Sequence, residues 1–211
     1  NAANWAVTGT TTPTGVLPDA SNVALAIIPS GATVVASPAL GYTGKTQIAG
    51  TLQVAADSYL GAAPVSATPD LITLNGGTLQ ATDSFTLHTN RGITLDASGG
   101  TFSVDASKSV AYAGVMAGTG GLTKSGSGVL TLTGDNTYSG GSTISGGQLV
   151  AGGSGNALGT STVAVSSRLS YDTTVAKTYA NAFDAVESAR YSDYGMGDVF
   201  ILYELTTFRN K

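Results

Sequence analysis

Apolar and small polar residues alternate along most of the first 167 residues of the chain. The pattern is clearest in "LITLNGGTLQA" (71–81), "FTLHTNRGITL" (85–95) and "GVLTLTG" (128–134). Alternation with a period of two predicts strands that bury one face and expose the other. The runs end at Gly, Asn, Asp or Ser, which favour corners. No helical periodicity of useful length precedes about residue 172. Many short strands therefore predict a sandwich, a barrel or a solenoid.

Internal repetition favours the solenoid among these three folds. The segment "YTGKTQIAGTLQV" (42–54) aligns with "YSGGSTISGGQLV" (138–150), which places Ile48 opposite Ile144. Both segments consist of an alternating run, a corner and a second alternating run. A supersecondary unit that recurs along one chain is typical of a stacked repeat architecture.

Glycine spacing gives the predicted size of one coil. Double glycines in front of strands recur 23 residues apart, at Gly76 and Gly99. With about 23 residues per coil and a rise of roughly 4.8 Å, residues 1–167 form about seven coils of a parallel β-solenoid. Apolar side chains should stack inside it as ladders. The ladder residues named by the alternation are Leu130, Leu132, Ile144 and Leu149.

The composition changes near residue 168. Residues 168–211 hold 11 of the 22 charged residues and 8 of the 15 aromatic residues. Helical spacing of apolar residues predicts a helix over about 173–191, and "DVFILYELTTF" predicts a strand over 198–208. The preferred interpretation is a C-terminal helix-plus-strand cap on the last coil. The strand could instead pair with the open edge of another subunit, or the tail could belong to a following module.

The assembly-or-cap hypothesis for the tail rests on its apolar strand. The residues assigned to it are Val199, Phe200, Ile201, Leu202, Tyr203 and Leu205.

Charge and cysteine content exclude several classes of function. Charged residues make up only 10% of the chain, the net charge is −4 and the pI is about 4.7. Nucleic-acid binding needs clustered Lys and Arg, so no nucleic-acid partner is expected. The absence of cysteine excludes disulfides, thiolate metal sites and cysteine nucleophiles. No metal or cofactor is expected, and no apolar run is long enough for a membrane-spanning helix.

One short motif suggests a nucleotide site. The segment "ALGYTGKT" (39–46) has the spacing of a phosphate-binding loop. Such a loop leads into a helix whose N-terminus faces the phosphates, whereas "TQIAGTLQV" has the pattern of a strand. We therefore expect no nucleotide partner, and we expect Lys45 to point to solvent at the start of a strand.

Candidate catalytic residues are few. His88 is the only histidine, and a solvent-facing strand position is expected for it. Asp83, Asp96 and Asp105 recur on successive coils and could line one face with Arg91 or Lys108 in reach, as in β-helical polysaccharide lyases. Aspartates at corners are more often turn formers. A third alternative is a flat hydroxyl array for ice or another surface, built from Thr131, Thr133 and Thr143.

Residues 118–150 resemble the repeat associated with autotransporter passenger domains. The order Gly-x-Gly-x-Leu-x-Lys-x-Gly-x-Gly, Leu-x-Leu-x-Gly-x-Asn-x-Tyr and Gly-x-Thr is met here, with one extra residue at "YSGGST". The matching positions of the repeat include Leu122, Lys124, Asn136 and Tyr138. The resemblance implies an all-β, right-handed, single-stranded parallel β-helix. It also implies export from a bacterium, with contact to the outer membrane only during export.

The resemblance implies no particular activity. The favoured expectation is a non-enzymatic secreted or cell-surface protein with a structural or adhesive role. The expected partners are a surface or glycan ligand and further copies of the chain, joined through the solenoid ends. The alternatives are a carbohydrate-active β-helix enzyme and an ice- or surface-binding solenoid. The chain is expected to be a fragment, a processed passenger or a stand-alone secreted protein.

Overall fold

The computed structural model describes residues 5–8, 25–36, 44–153, 156–171 and 183–185, which form three sheets. Sheet 1 contains β1 (Trp5–Thr8), β3 (Thr33–Ala36), β5 (Thr51–Val54), β7 (Thr78–Ala81), β10 (Gly100–Val104), β13 (Leu122–Ser125), β15 (Ser142–Ile144), β17 (Val163–Val165) and β19 (Phe183–Ala185). Sheet 2 contains β2 (Leu25–Ile28), β4 (Lys45–Ile48), β6 (Thr68–Leu74), β9 (Arg91–Leu95) and β12 (Met116–Gly118). Sheet 3 contains β8 (Phe85–Leu87), β11 (Ser109–Tyr112), β14 (Val129–Leu132), β16 (Gln148–Ala151) and β18 (Arg168–Tyr171).

The strands of each sheet stack in parallel from one coil to the next. On sheet 1, Thr78 is in register with Thr101, and Thr101 with Thr123, which gives steps of 23 and 22 residues. These steps confirm the coil length predicted from the glycine spacing. The chain is a parallel β-solenoid of about seven turns.

The core lies inside the coils, and the alternation of the sequence places it there. Along β14 the side chains alternate between half-buried and buried, and β16 repeats this pattern. The predicted ladder residues are completely buried, which confirms that prediction. They are Leu130, Leu132, Ile144 and Leu149.

The described N-terminal end of sheet 1 departs from the parallel pattern. There β1 pairs with β3 in antiparallel orientation, with Trp5 opposite Ala36. An antiparallel strand satisfies the backbone of β3 on the side where no further parallel coil supplies a partner. The sequence did not predict this reversal.

The predicted boundary between solenoid and tail is wrong. Strand β18 begins at Arg168 and pairs in parallel with β16, and β19 pairs in parallel with β17. Residues Phe183–Ala185 form strand β19, so the helix predicted over 173–191 is wrong at these three residues. Pairing with the preceding coil outweighs local helical periodicity there. The rest of that helix, the strand predicted over 198–208 and the six assembly-or-cap residues lie outside the described residues.

The repeat alignment is structurally misleading. Ile48 ends β4 on sheet 2, whereas Ile144 ends β15 on sheet 1. The two segments therefore occupy different sheets. They look alike because a strand, a glycine corner and another strand occur at more than one edge of a coil.

The segment with phosphate-loop spacing leads into a strand and not into a helix. Lys45 begins β4, and its Nζ lies 2.6 Å from Oδ2 of Asp70 on the neighbouring strand β6. Both side chains are about half exposed, so this is a surface ion pair. The prediction of a solvent-facing lysine followed by a strand is confirmed. No helix in the described part of the chain is long and apolar enough to cross a membrane.

Candidate functional site

The outer face of sheet 1 carries a ladder of threonines. One threonine from each of six consecutive strands occupies the same register position, and every side chain points outward and is partly or largely exposed. The ladder consists of Thr33, Thr51, Thr78, Thr101, Thr123 and Thr143. At roughly 4.8 Å per coil it is about 24 Å long. β-branched threonine suits this position because its branched side chain packs well on a half-exposed strand surface.

A second row of polar side chains runs beside the threonine ladder. Nε2 of Gln53 donates to Oε1 of Gln80 at 3.0 Å, and Nε2 of Gln80 donates to Oδ1 of Asp105 at 2.7 Å. Ser103 and Ser125 continue the row on the next coils. None of the outward residues of β3, β5, β7, β10, β13 and β15 is charged. The strands of this face therefore offer hydroxyl and amide groups, and the carboxylate bonded to this row, Asp105, lies at the corner after β10.

A shallow groove borders the threonine ladder at the corner between sheets 2 and 1. Its volume is about 240 Å³, and Thr101, Thr123 and Thr143 lie along it. Glycines line the corner on four coils, at Gly76, Gly99, Gly121 and Gly141. Gly141 has φ +83°, and a Cβ there would lie 2.7 Å from the carbonyl oxygen of Thr162. A Cβ at Gly99 or Gly121 would likewise lie 2.8 Å from a carbonyl oxygen of the next coil, so larger residues do not fit at these three corners.

Arg91 is not available to a substrate. It is fully buried at the start of β9, and its Nε lies 2.8 Å from Oδ1 of Asp57. Its guanidinium also donates to the backbone carbonyls of Leu60 and Gly61, at 2.9 and 2.6 Å. A buried guanidinium needs such a complete set of acceptors. The role of Arg91 is to hold residues 57–62 against the solenoid.

The three aspartates proposed to line one face lie on two corners. Asp83 and Asp105 lie between sheets 1 and 3, whereas Asp96 lies between sheets 2 and 1. Oδ1 of Asp83 lies 2.8 Å from Nζ of Lys108 in an exposed ion pair, and this hydrogen bond lowers the pKa of Asp83. The alternative of one acidic face is wrong, because Asp96 lies at a different corner from Asp83 and Asp105. Of the two basic residues named for it, Lys108 is in reach of Asp83 and Arg91 is enclosed elsewhere.

His88 is solvent-facing, as predicted, although it lies just beyond β8. Its Nδ1 accepts a hydrogen bond from the backbone N–H of Asn90 at 3.2 Å. Within the described residues no group of three or more His, Cys, Asp or Glu could hold a metal ion.

The hydroxyl array considered as an alternative, with Thr131, Thr133 and Thr143 on one face, does not form with those residues. Thr131 lies in β14 on sheet 3, whereas Thr143 lies in β15 on sheet 1. The observed ladder takes one threonine from each coil. Sequence reasoning missed it because only the register between coils aligns residues that are 18 to 27 positions apart.

Three polar residues of the passenger-type motif point into the core: Lys124, Asn136 and Tyr138. The Nζ of Lys124 donates to the carbonyls of Gly126 and Gly146 at 3.0 and 3.2 Å, and burial lowers the pKa of Lys124 to about 8. The hydroxyl of Tyr138 shares a hydrogen bond with Oγ of Ser142. Burial raises the pKa of Tyr138 to about 12.

Asn136 joins two coils by its side chain. Its Oδ1 accepts from the backbone N–H of Met116, and its Nδ2 donates to the carbonyl of Ala157, both at 2.7 Å. The amide thus continues sheet 2 where the chain forms no strand. The motif residues are structural and leave no reactive group on the surface.

Comparison with known proteins supports the resemblance to autotransporter passengers. Residues 122–151 match the family model of the passenger-associated-transport-repeat. Over 96 residues the chain is 45% identical to the adhesin BmaC autotransporter of Brucella suis biovar 1 (strain 1330). That alignment covers 45% of this chain and 3% of the adhesin, so the chain spans a small part of that protein's length. No solved structure matches the chain. The prediction of a passenger-type β-solenoid is confirmed.

Proposed function

We propose that this chain is an adhesive segment of an extracellular, autotransporter-type passenger, and that it is not an enzyme. The observation that carries the proposal is the 45% identity to an adhesin over nearly half of the chain. The passenger-associated-transport-repeat at 122–151 supports export to the bacterial surface. The repeat match covers residues 122–151 and the adhesin similarity covers 96 residues. The proposal extends the role that these segments support to the whole chain.

The positions of the charged candidates support a non-enzymatic role. Arg91 is enclosed by Asp57 and backbone carbonyls, and Lys108 is paired with Asp83. An acid–base mechanism needs a titratable group within hydrogen-bond reach of substrate in a cleft. The groove beside sheet 1 is lined by Gly, Ala, Ser, Thr and Leu, which supply no such group.

The outer face of sheet 1 is the proposed contact surface. Its threonine hydroxyls and glutamine amides are hydrogen-bond donors and acceptors, and they carry no charge. A neutral polyhydroxylated polymer such as a glycan matches that chemistry. Each hydroxyl contact is weak, but a ligand that spans several coils would make many contacts at once, which raises the overall affinity.

The test measures retention of beads coated with the full chain on surfaces that carry neutral polysaccharide, matrix protein or no coating. Thr101→Lys together with Thr123→Lys places two ammonium groups in the middle of the ladder. Thr86→Lys together with Thr131→Lys places the same charges on the outer side of sheet 3. We expect the first pair to abolish retention and the second to preserve it. Retention that survives in both pairs would exclude sheet 1 as the contact surface.

The threonine ladder also supports a second candidate function. A row of hydroxyls with a repeat of roughly 4.8 Å is a regular array, and it could match an ordered lattice such as ice. Growth of ice crystals in the presence of the full chain tests this candidate. Faceted crystals that become round after Thr101→Lys and Thr123→Lys would favour ice; round crystals with the unmodified chain would exclude it.

Self-association is a further part of the proposal. It would use the apolar tail sequence around Ile201 and Tyr203, because the strand predicted over 198–208 would offer an edge for pairing with another chain. Sedimentation of the full chain against Ile201→Asp with Tyr203→Asp tests it. Concentration-dependent oligomers that persist in the variant would assign association to another part of the molecule.

A further inference from the structure

The N-terminal edge of sheet 3 is covered by a segment that is not a strand. Strand β8 is the edge strand at this end of sheet 3. In the preceding coil, residues Asp57–Leu60 form a single 3-10 turn that packs against β8. Leu60 is buried in the core, and the carboxylate of Asp57 accepts the backbone N–H of His88 at 2.9 Å. A turn therefore occupies the place where the coils from β8 onward supply a strand of sheet 3.

Arg91 fastens this segment from inside the solenoid. All three guanidinium nitrogens donate to it: Nε to Oδ1 of Asp57, Nη1 to the carbonyl of Leu60 and Nη2 to the carbonyl of Gly61. The backbone of Arg91 is itself held by the hydroxyl of Tyr112, at 2.6 Å from its carbonyl oxygen. Hydrogen bonds thus link Tyr112 of β11 to Arg91 of β9, and Arg91 to the turn.

Beyond the fastened turn the segment runs over the surface without secondary structure as far as β6. Val65, at its tip, is fully exposed. Asn90 holds the neighbouring residue, with its Nδ2 2.9 Å from the carbonyl oxygen of Pro64. Residues 55–67, called the strap below, are therefore attached to the solenoid at a few polar contacts and at Leu60.

We propose that the strap is a conformational device that keeps β8 from pairing with β8 of a second copy of this chain. An exposed strand edge is a template for pairing, and natural sheets cover such edges with turns or loops. The 3-10 turn of the strap packs against β8, and the carboxylate of Asp57 accepts the N–H of His88, the residue directly after β8. Opening the strap removes the turn that covers this edge and leaves the N–H of His88 without its acceptor. A second copy carries the same edge, and two such edges can pair about a two-fold axis.

The test compares the full chain with Asp57→Asn, which removes the charge of the fastening and keeps its size. The matched control is Asp135→Asn, an identical change at an exposed aspartate that accepts only the backbone N–H of Asn156. Chymotrypsin, which cleaves after Tyr and Leu, reports opening by cuts after Tyr59 and Leu60, because Leu60 is buried while the strap is closed. We expect cleavage there to rise about tenfold in Asp57→Asn, as for the loss of a charge-assisted hydrogen bond, and to stay unchanged in the control.

Sedimentation velocity then measures association over a range of concentrations. All chains compared carry Ile201→Asp and Tyr203→Asp, which remove the association proposed for the tail. In this background we expect Asp57→Asn to dimerise at concentrations where the chain without it and the control stay monomeric. Adding Thr86→Lys, a charge on the exposed face of β8, should restore the monomer, because lysine on an edge strand opposes pairing. Faster cleavage without dimerisation would overturn the proposal, and so would unchanged cleavage in Asp57→Asn. Arg91→Met removes the guanidinium that donates to Asp57, Leu60 and Gly61. It should increase both cleavage and dimerisation more than Asp57→Asn does.

Discussion

Lys124 lies in register with Phe102 of the preceding coil, so an ammonium group occupies a core position that an aromatic ring fills one coil earlier. Both side chains are fully buried. The partners of the Lys124 Nζ are the carbonyls of Ser125, Gly126 and Gly146. The charge is thus stabilised by backbone dipoles of two successive coils. Burial disfavours the charged form and lowers the pKa of Lys124 to about 8.

This pKa predicts a pH dependence of stability. The unfolded lysine has a pKa near 10.5, and the folded one has a pKa of about 8. Between these values the unfolded chain keeps a proton that the folded chain has released, so the free energy of unfolding should rise with pH. Urea unfolding from pH 7 to 10 measures the slope. It should disappear in Lys124→Met and persist in Lys108→Met, which alters an exposed lysine.

The upper limit of that pH range follows from a buried tyrosine. Burial raises the pKa of Tyr138 from 10.0 to about 12. Above pH 10 the unfolded tyrosine ionises first, which lowers stability as the pH rises. A slope in Lys124→Met equal to that of the unmodified chain below pH 10 would contradict the assignment to Lys124.

A second prediction concerns Asn136, whose amide links the N–H of Met116 to the carbonyl of Ala157. Asn136→Ala leaves both buried groups without this partner, so we expect a loss of roughly 2–4 kcal/mol in the free energy of unfolding. Thr137→Ala, at the exposed neighbouring position, should change it by less than about 0.5 kcal/mol. Urea unfolding of both variants checks this, and equal midpoints would show that the amide bridge does not stabilise the fold.

The inner side of the solenoid could be predicted from the sequence because it follows from local alternation. Leu130 and Leu132 are two residues apart, so a strand places both on one side whatever its neighbours are. The sequence could not assign a segment to its sheet. Ile48 and Ile144 belong to similar strand-and-corner segments, yet they lie in different sheets. That assignment depends on the lengths of all the corners between them.

Charged residues were predicted less well for a related reason. Arginine is usually a surface residue, and Arg91 can be buried because the carboxylate of Asp57 and the carbonyls of a turn about 30 positions earlier accept its hydrogen bonds. The threonine ladder was missed for the same reason, because Thr78 and Thr101 become neighbours only through pairing between coils. Such long-range contacts are not visible in any local pattern.

The last prediction separates two reasons for glycine at solenoid corners. At Gly120 a Cβ would lie 1.9 Å from the carbonyl oxygen of Asp96 on the preceding coil, so the two coils would have to move apart. At Gly76 the nearest atom to such a Cβ is 3.5 Å away, and the constraint is the backbone, with φ +75°. Gly120→Ala should therefore destabilise the fold by about 3 kcal/mol, the upper end for overpacking.

Gly76→Ala should lower the free energy of unfolding by only about 1–2 kcal/mol, the penalty of a left-handed conformation. Gly76→Asn distinguishes the causes further, because asparagine tolerates positive φ better than alanine does. It should recover part of the loss at position 76, whereas Gly120→Asn should be at least as harmful as Gly120→Ala. Urea unfolding of the four variants provides the comparison. If asparagine were equally damaging at both positions, close approach between coils rather than backbone conformation would explain the glycine at 76 as well.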